Sequence, residues 1–133
     1  MNNRAKRQRV SSGSPFERSV GFSRAVRVGN RVLVAGTAPI WPDGSVDPDV
    51  TVQMRRCLEI ALTALAEAGA GAVDVVRTRT YLVDRDDWEV IGLEHGKVFG
   101  EVRPASTMIM VAGLLDERWR VEIEVEAIIS GRA

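Results

Sequence analysis

A chain of 133 residues in which strand-like and helix-like segments interleave predicts an α+β fold, a mixed β-sheet with two helices packed on one face. Three observations predict it. Apolar and polar residues alternate with period two in several short runs, and the period lengthens to a helical one over two stretches only. The order along the chain is strand, strand, helix, strand, helix, strand, strand. Two helices can cover one face of such a sheet, which leaves the other for something else.

Residues 1–15 have linker composition, end in Ser14-Pro15, and place Arg4, Lys6, Arg7 and Arg9 ahead of the first acid, Glu17; they are expected to form a disordered basic tail. Residues 16–133 then form one domain, long enough to take roughly two-thirds of its unfolded surface out of water. FSRAVRV (22–28) and RVLVAGTA (31–38) alternate and are joined by Gly29-Asn30, a hairpin signal, because both linking residues tolerate positive φ. WPDGS (41–45) is a turn. Met54, Leu58, Ala61, Leu62 and Leu65 then mark a helix from about Pro48 to Ala68, with Asp49 as its N-cap and Gly69 as its stop.

VDVVRTRTYLV (73–83) is β-branched and alternating, so it reads as a strand packed on that helix. A second helix is expected from Asp86 to Phe99, with Trp88, Ile91, His95, Val98 and Phe99 on its packing face. After Pro104 come two more strands, STMIMVAGL (106–114) and WRVEIEVEAII (119–129). The last points Val121, Ile123 and Val125 one way and Glu122, Glu124 and Glu126 the other. STMIMVAGL is apolar at both parities, which predicts burial on both faces. Helices cover only one side, so the second burial falls to another copy of the chain, and a closed ring of subunits is the economical arrangement.

An apolar fraction of 45% and a charged fraction of 27% are ordinary globular values. No run approaches the ~18 apolar residues of a membrane helix, and the N-terminus lacks the apolar core of a signal peptide, so the expected compartment is the cytoplasm. Cys57 and His95 are the single members of their types, which rules out an intrachain disulfide and makes a metal site unexpected. Lys and Arg balance Asp and Glu overall, and with the basic tail set aside the body is acidic. A nucleic-acid partner, which asks for a basic face, is not expected.

The chemistry-bearing candidates are isolated residues. Glu124 lies centrally in the last strand: exposed, it belongs to a solvated acidic stripe; covered by a neighbouring subunit, it acquires a raised pKa and can hold a water or pass a proton. His95 is a packing histidine or a proton-transfer group. Cys57, with no base beside it in the sequence, reads as a small buried apolar residue. Arg77 and Arg79 share a face with Tyr81 and either hold an anion or pair with the glutamate stripe. Arg103 precedes Pro104 at a strand entrance and is placed to present its fork to an anion or to solvent.

GFSRAV (21–26), RVLVAGTAPI (31–40), the long helix ending EAGAG, RTRTYLVD (77–84), RPAST (103–107) and VEIEVEAI (121–128) together resemble the YjgF/Rid family from about residue 15 to 130. The resemblance implies a chorismate-mutase-like subunit, three of which form a homotrimeric barrel with a cleft between neighbours. It implies cofactor-free hydrolysis of reactive imines and enamines, with an arginine gripping the substrate carboxylate and a last-strand glutamate positioning water. Gly36 matches the family's glycine, Pro104 its proline and Glu124 its glutamate. Phe22 stands at the usual tyrosine, Ser106 at the arginine, Thr107 at the following serine or threonine, and Met108 where a cysteine often follows. The resemblance therefore implies an intersubunit cleft for a small-molecule ligand, lined by Phe22, Gly36, His95, Arg103, Ser106, Thr107 and Met108, with Glu124 catalytic. It also implies a subgroup without the usual arginine. Losing that fork removes roughly 1.5–3 kcal/mol of charged hydrogen bonding from a carboxylate ligand. A substrate less acidic than a 2-imino acid, or a non-catalytic trimer that binds a metabolite or a protein, is the corresponding expectation.

Overall fold

A computed structural model describes residues 6–130. Six strands, β1 (Arg7–Val10), β2 (Ala25–Val28), β3 (Arg31–Thr37), β4 (Val75–Leu82), β5 (Ala105–Met110) and β6 (Val121–Ile128), form one sheet in the order β1-β2-β3-β6-β4-β5. All neighbours are antiparallel except β4 and β5, whose parallel pairing is made through a crossover containing helix α2 (Trp88–Phe99). Helix α1 (Val50–Glu67) connects β3 to the rest and packs on β6 and β3. The α+β architecture with two helices on one face is the one the sequence predicts.

The core follows from periodicity. Met54, Leu58, Ala61 and Leu65 of α1 lie buried against Val32 and Val34 of β3 and Val121, Ile123 and Val125 of β6. A large aliphatic side chain buried this way stabilises the fold by about 1.5–3 kcal/mol relative to exposure. At its N-terminus Asp49 accepts from the backbone N–H groups of Thr51 (2.8 Å) and Val52 (3.2 Å), and at its C-terminus Gly69 takes φ +89°. Gln53, 1% exposed, crosses the core edge: its amide donates to the carbonyls of Asp47 (2.8 Å) and Arg118 (3.0 Å) and accepts from the N–H of Arg120 (2.7 Å). That bridge fixes the chain just before β6.

Three expectations need correction. The segment expected to be a loose tail contains β1, which pairs with β2 from Arg7–Val28 to Val10–Ala25 and buries Val10; residues 1–5 lie outside the described part. Besides the ladder and the burial of Val10, the Gln8 amide donates to the Glu67 carbonyl (3.0 Å) and the Arg24 N–H to the Val10 carbonyl (2.9 Å). In α2, Ile91 and Phe99 are buried, but Trp88 is 54% exposed, because the helix starts there, and Glu94 takes a buried position instead. Arg55 of α1 (2.7 Å) and Lys97 (2.8 Å) neutralise Glu94 and tie the two helices together. Finally β5 ends at Met110, and within one chain all its residues are exposed, since it is the sheet's outer strand.

Candidate functional site

The register across the sheet decides which residues share a face. Thr107 of β5 stands opposite Arg79 of β4, and Arg79 opposite Glu124 of β6. Beyond Glu124 the pairing of β3 with β6 slips between Val34 and Thr37, so Ala35 and Gly36 together face one residue of β6. On the face bare of helices this gives a row running Thr107, Arg79, Glu124, then the bulge. A cavity of about 360 Å³ opens on it, lined among others by Phe22, Leu33, Arg77, Arg79, Glu124 and Glu126.

Charges on this face are mostly assigned. Arg77 Nε meets Glu126 Oε2 at 3.3 Å, with Arg31 at 3.9 Å from the other oxygen. Tyr81 donates its hydroxyl to Glu124, and that hydrogen bond pushes the phenol pKa up. Arg24 donates to the carbonyl of Gly36 and lies 6.0 Å from the Phe22 ring centroid, while its buried Nε has no partner among the described residues. Burial lowers the Arg24 pKa, against the attraction of Glu17 and Glu122. Burial likewise raises the Glu122 carboxyl above its usual range, opposed by Arg24 and assisted by Glu124. Gly36 leaves room for a carboxylate here: a Cβ on it would stand 2.9 Å from Glu122 Oε2, so the tip of that side chain would have to move.

The other predicted residues sit elsewhere. Ser106 stands opposite the buried Thr78, on the helix side of the sheet. Thr78 donates to Ser106 Oγ (2.9 Å) and bonds His95 Nε2 (2.8 Å), so the imidazole, which stacks near Phe99 at 4.8 Å, is joined to an exposed serine through a buried hydroxyl. Burial pushes the His95 pKa down, which keeps it neutral at pH 7. Met108 lines a shallow recess with Leu82, Arg85, Trp88 and Met110. Arg103 is exposed with φ +54°, and its N–H closes the end of α2 onto the Phe99 carbonyl (2.8 Å); its side chain lines neither recess.

Within one chain, then, Phe22 and Glu124 share a cavity whose row extends to Gly36 and Thr107, while Ser106, Met108 and His95 lie beyond the sheet. Sequence reading missed Thr78, Arg24 and Gln53. Their signal was a polar residue inside an otherwise apolar pattern: Thr78 at the buried parity of RTRTYL, Arg24 within FSRAV, Gln53 one turn before Cys57. Cys57 is buried as expected, and burial raises its thiol pKa far above the usual value. No group of three metal-ligating side chains occurs among the described residues, and no described helix is long and apolar enough to cross a membrane.

Comparison with known proteins agrees with this architecture. The family model described as Endoribonuclease L-PSP matches residues 14–129. An uncharacterised protein of Streptomyces coelicolor is 43% identical over 123 residues, covering 90% of each chain. The 2-iminobutanoate/2-iminopropanoate deaminase of Escherichia coli is 30% identical over 111 residues, covering 80% of this chain and 84% of its own. A crystal structure from Mycobacterium tuberculosis, described as a member of the YjgF family, superposes with a TM-score of 0.86 at 43% identity, covering 93% of this chain and all of that one. A family model spanning most of the chain, with relatives and a solved structure matched over nearly their full lengths, establishes that this protein belongs to the endoribonuclease L-PSP, or YjgF/Rid, family.

Proposed function

We propose that the chain is a cofactor-free imine or enamine hydrolase that works as a homotrimer, with its site in the cleft between neighbouring copies. One observation supports it above the others. The residues assigned to one site by resemblance divide between the two sides of the sheet, with Glu124 and Phe22 on the bare face and Ser106 and Met108 on the exposed edge strand. Such residues meet only if the β5 edge of one copy lies against the bare face of the next. The deaminase name of the Escherichia coli relative supports the reaction class.

In this reading Glu124, held by Tyr81, accepts a proton from a water that adds to the C=N carbon, and returns that proton to the nitrogen, which takes the C=N π electrons, to give a neutral carbinolamine. The tetrahedral carbinolamine collapses as its hydroxyl loses a proton and its nitrogen gains one, so that the C–N bond breaks and ammonia leaves behind a carbonyl. Holding Glu124 by hydrogen bond fixes the attacking geometry before substrate arrives. Imines generated in situ, 2-iminopropanoate and less acidic ones, test it through ammonia release. Wild type should exceed the uncatalysed rate, and Glu124→Ala should abolish the excess while sedimenting, like wild type, as a trimer. Uncatalysed rates across the panel would leave the second reading, a non-catalytic binding trimer, which the serine at position 106 favours.

A further inference from the structure

One line of polar contacts runs through the fold away from the bare face. His95 of α2, Thr78 of β4 and Ser106 of β5 are joined at 2.8 Å (Nε2 to Oγ1) and 2.9 Å (Oγ1 to Oγ), so the crossover helix and the two parallel strands it connects share it. Thr78 is 0% exposed, whereas Ser106 lies at the surface of the outer strand. Counting protons fixes the direction. A threonine hydroxyl has one proton, and that of Thr78 goes to Ser106 Oγ. The imidazole then donates to Thr78 from Nε2, and the Ser106 proton points away from the strand. The line therefore runs from His95 through Thr78 to Ser106 and outward, and it lies within one chain whatever covers β5.

We propose that His95 and Thr78 are positioning residues that hold the Ser106 hydroxyl as a hydrogen-bond donor into the cleft, and that it receives an uncharged carbonyl oxygen of the ligand. This rests on the reading that the β5 edge of one copy closes the cleft of the next. Passing protons is not the role of the line. Burial is the one influence on the His95 pKa and keeps the ring neutral, so sending its Nε2 proton outward would leave a buried anion. What the line supplies is orientation and polarisation: each donor strengthens the next, and the buried Thr78 hydroxyl cannot turn to water instead. Every member is uncharged, and this selects the partner. A single hydroxyl satisfies a carbonyl oxygen but leaves a carboxylate that has been taken out of water under-compensated. Met108, two residues on along the same face of β5, opens on a recess lined by Leu82, Arg85, Trp88 and Met110, so the body of the ligand beyond its carbonyl meets largely apolar surface.

His95 is the single histidine of the sequence, so imidazole 15N NMR on the full-length, tag-free protein reads it without overlap. At pH 7.5 Nε2 should carry the proton, and in Thr78→Val, which removes the hydroxyl at nearly constant size, both ring nitrogens should move toward the mixed shifts of a free imidazole. A bare Nε2 in wild type runs the line the other way and overturns the proposal. Binding of pyruvamide, followed by ligand-observed NMR, tests the outward end without requiring turnover. Ser106→Ala should weaken it about 2- to 10-fold, the loss of one hydrogen bond. Thr78→Val and His95→Leu should each give part of that loss, while His95→Gln, whose amide can still donate to Thr78, should stay near wild type. Pyruvate, the charged counterpart, should bind more weakly than pyruvamide. No pyruvamide binding by wild type, an affinity indifferent to Ser106, equal losses in His95→Gln and His95→Leu, or tighter binding of pyruvate overturns the proposal. The hydrolase reading fails separately. With the pyruvamide pattern intact, no ammonia release from any imine would overturn that reading and leave this one standing, whereas Glu124-dependent release in a protein whose Ser106→Ala variant binds pyruvamide unchanged would overturn this one alone.

Discussion

Gly36→Ala, combined with Glu122→Ala, measures how tightly the acidic row is packed over the β3 bulge. The added methyl would stand 2.9 Å from Glu122 Oε2, about half an ångström inside an ordinary contact. Gly36 has no positive φ, so alanine suits the backbone and, by restricting the unfolded chain, contributes about 0.4–1 kcal/mol of stability on its own. Against this, crowding a packed site costs about 1–3 kcal/mol, and the low end applies because the struck atom is the tip of a flexible side chain. Gly36→Ala should thus be neutral to about 1 kcal/mol destabilising in wild type. With the carboxylate deleted by Glu122→Ala, the clash vanishes and the same alanine should stabilise by about 0.5 kcal/mol. The expected coupling is about 1 kcal/mol, well above the few tenths at which independent sites add. Urea unfolding of the four proteins at pH 7 with a common m-value gives it directly. Equal effects of Gly36→Ala in both backgrounds would refute the close approach.

Gln53→Leu should cost about 2–4 kcal/mol, since it leaves two carbonyls and one N–H without partners at a position 1% exposed; the urea midpoint should fall with m unchanged. His95 should make stability pH-dependent. Its pKa in the fold is lowered by burial, so the unfolded chain binds the extra proton, and stability that is complete above about pH 6.5 should be lost as pH falls. In His95→Gln the decline in urea midpoint between pH 7 and pH 5 should be shallower than in wild type, and an equal slope would show that another group carries it.

Much of the fold was legible because the relevant signals are local. The stripe from Met54 to Leu65, the Asp49 cap, the Gly29-Asn30 turn and the alternation of Val121 to Glu126 each specify an element from a few neighbouring residues, and each formed. What stayed hidden depends on register. Whether Ser106 and Glu124 share a face is decided by which residue of β4 each stands opposite, Thr78 for the one and Arg79 for the other, a one-residue offset that puts them on opposite faces and leaves no mark in the sequence. The strand at Arg7–Val10 was hidden for a related reason: its basic composition resembles a tail, and only the edge offered by β2 makes it a strand. The question of whether Arg77 and Arg79 pair or stay free had no answer in the alternation that put both on one face. In the fold Arg77 meets Glu126 at 3.3 Å, whereas Arg79 stands opposite Glu124 in register with Tyr81 bonded to one oxygen of that carboxylate.

The division of the candidate residues also bears on the apolar content of β5. Met108, Ile109 and Met110 are 36%, 38% and 42% exposed, on a strand whose outer edge has no partner among the described residues. A parallel strand with apolar residues at both parities and a free edge is an aggregation hazard unless something covers it. Leu33, 41% exposed, presents a complementary apolar surface on the bare face, beside the cavity. If the edge of each copy covers the bare face of the next, the same contact removes the hazard, brings Ser106 toward Glu124 and narrows an open cavity into a cleft. The two faces are related head to tail rather than by self-complementarity, so the assembly they imply is a ring that closes after a fixed number of copies and not a two-fold dimer.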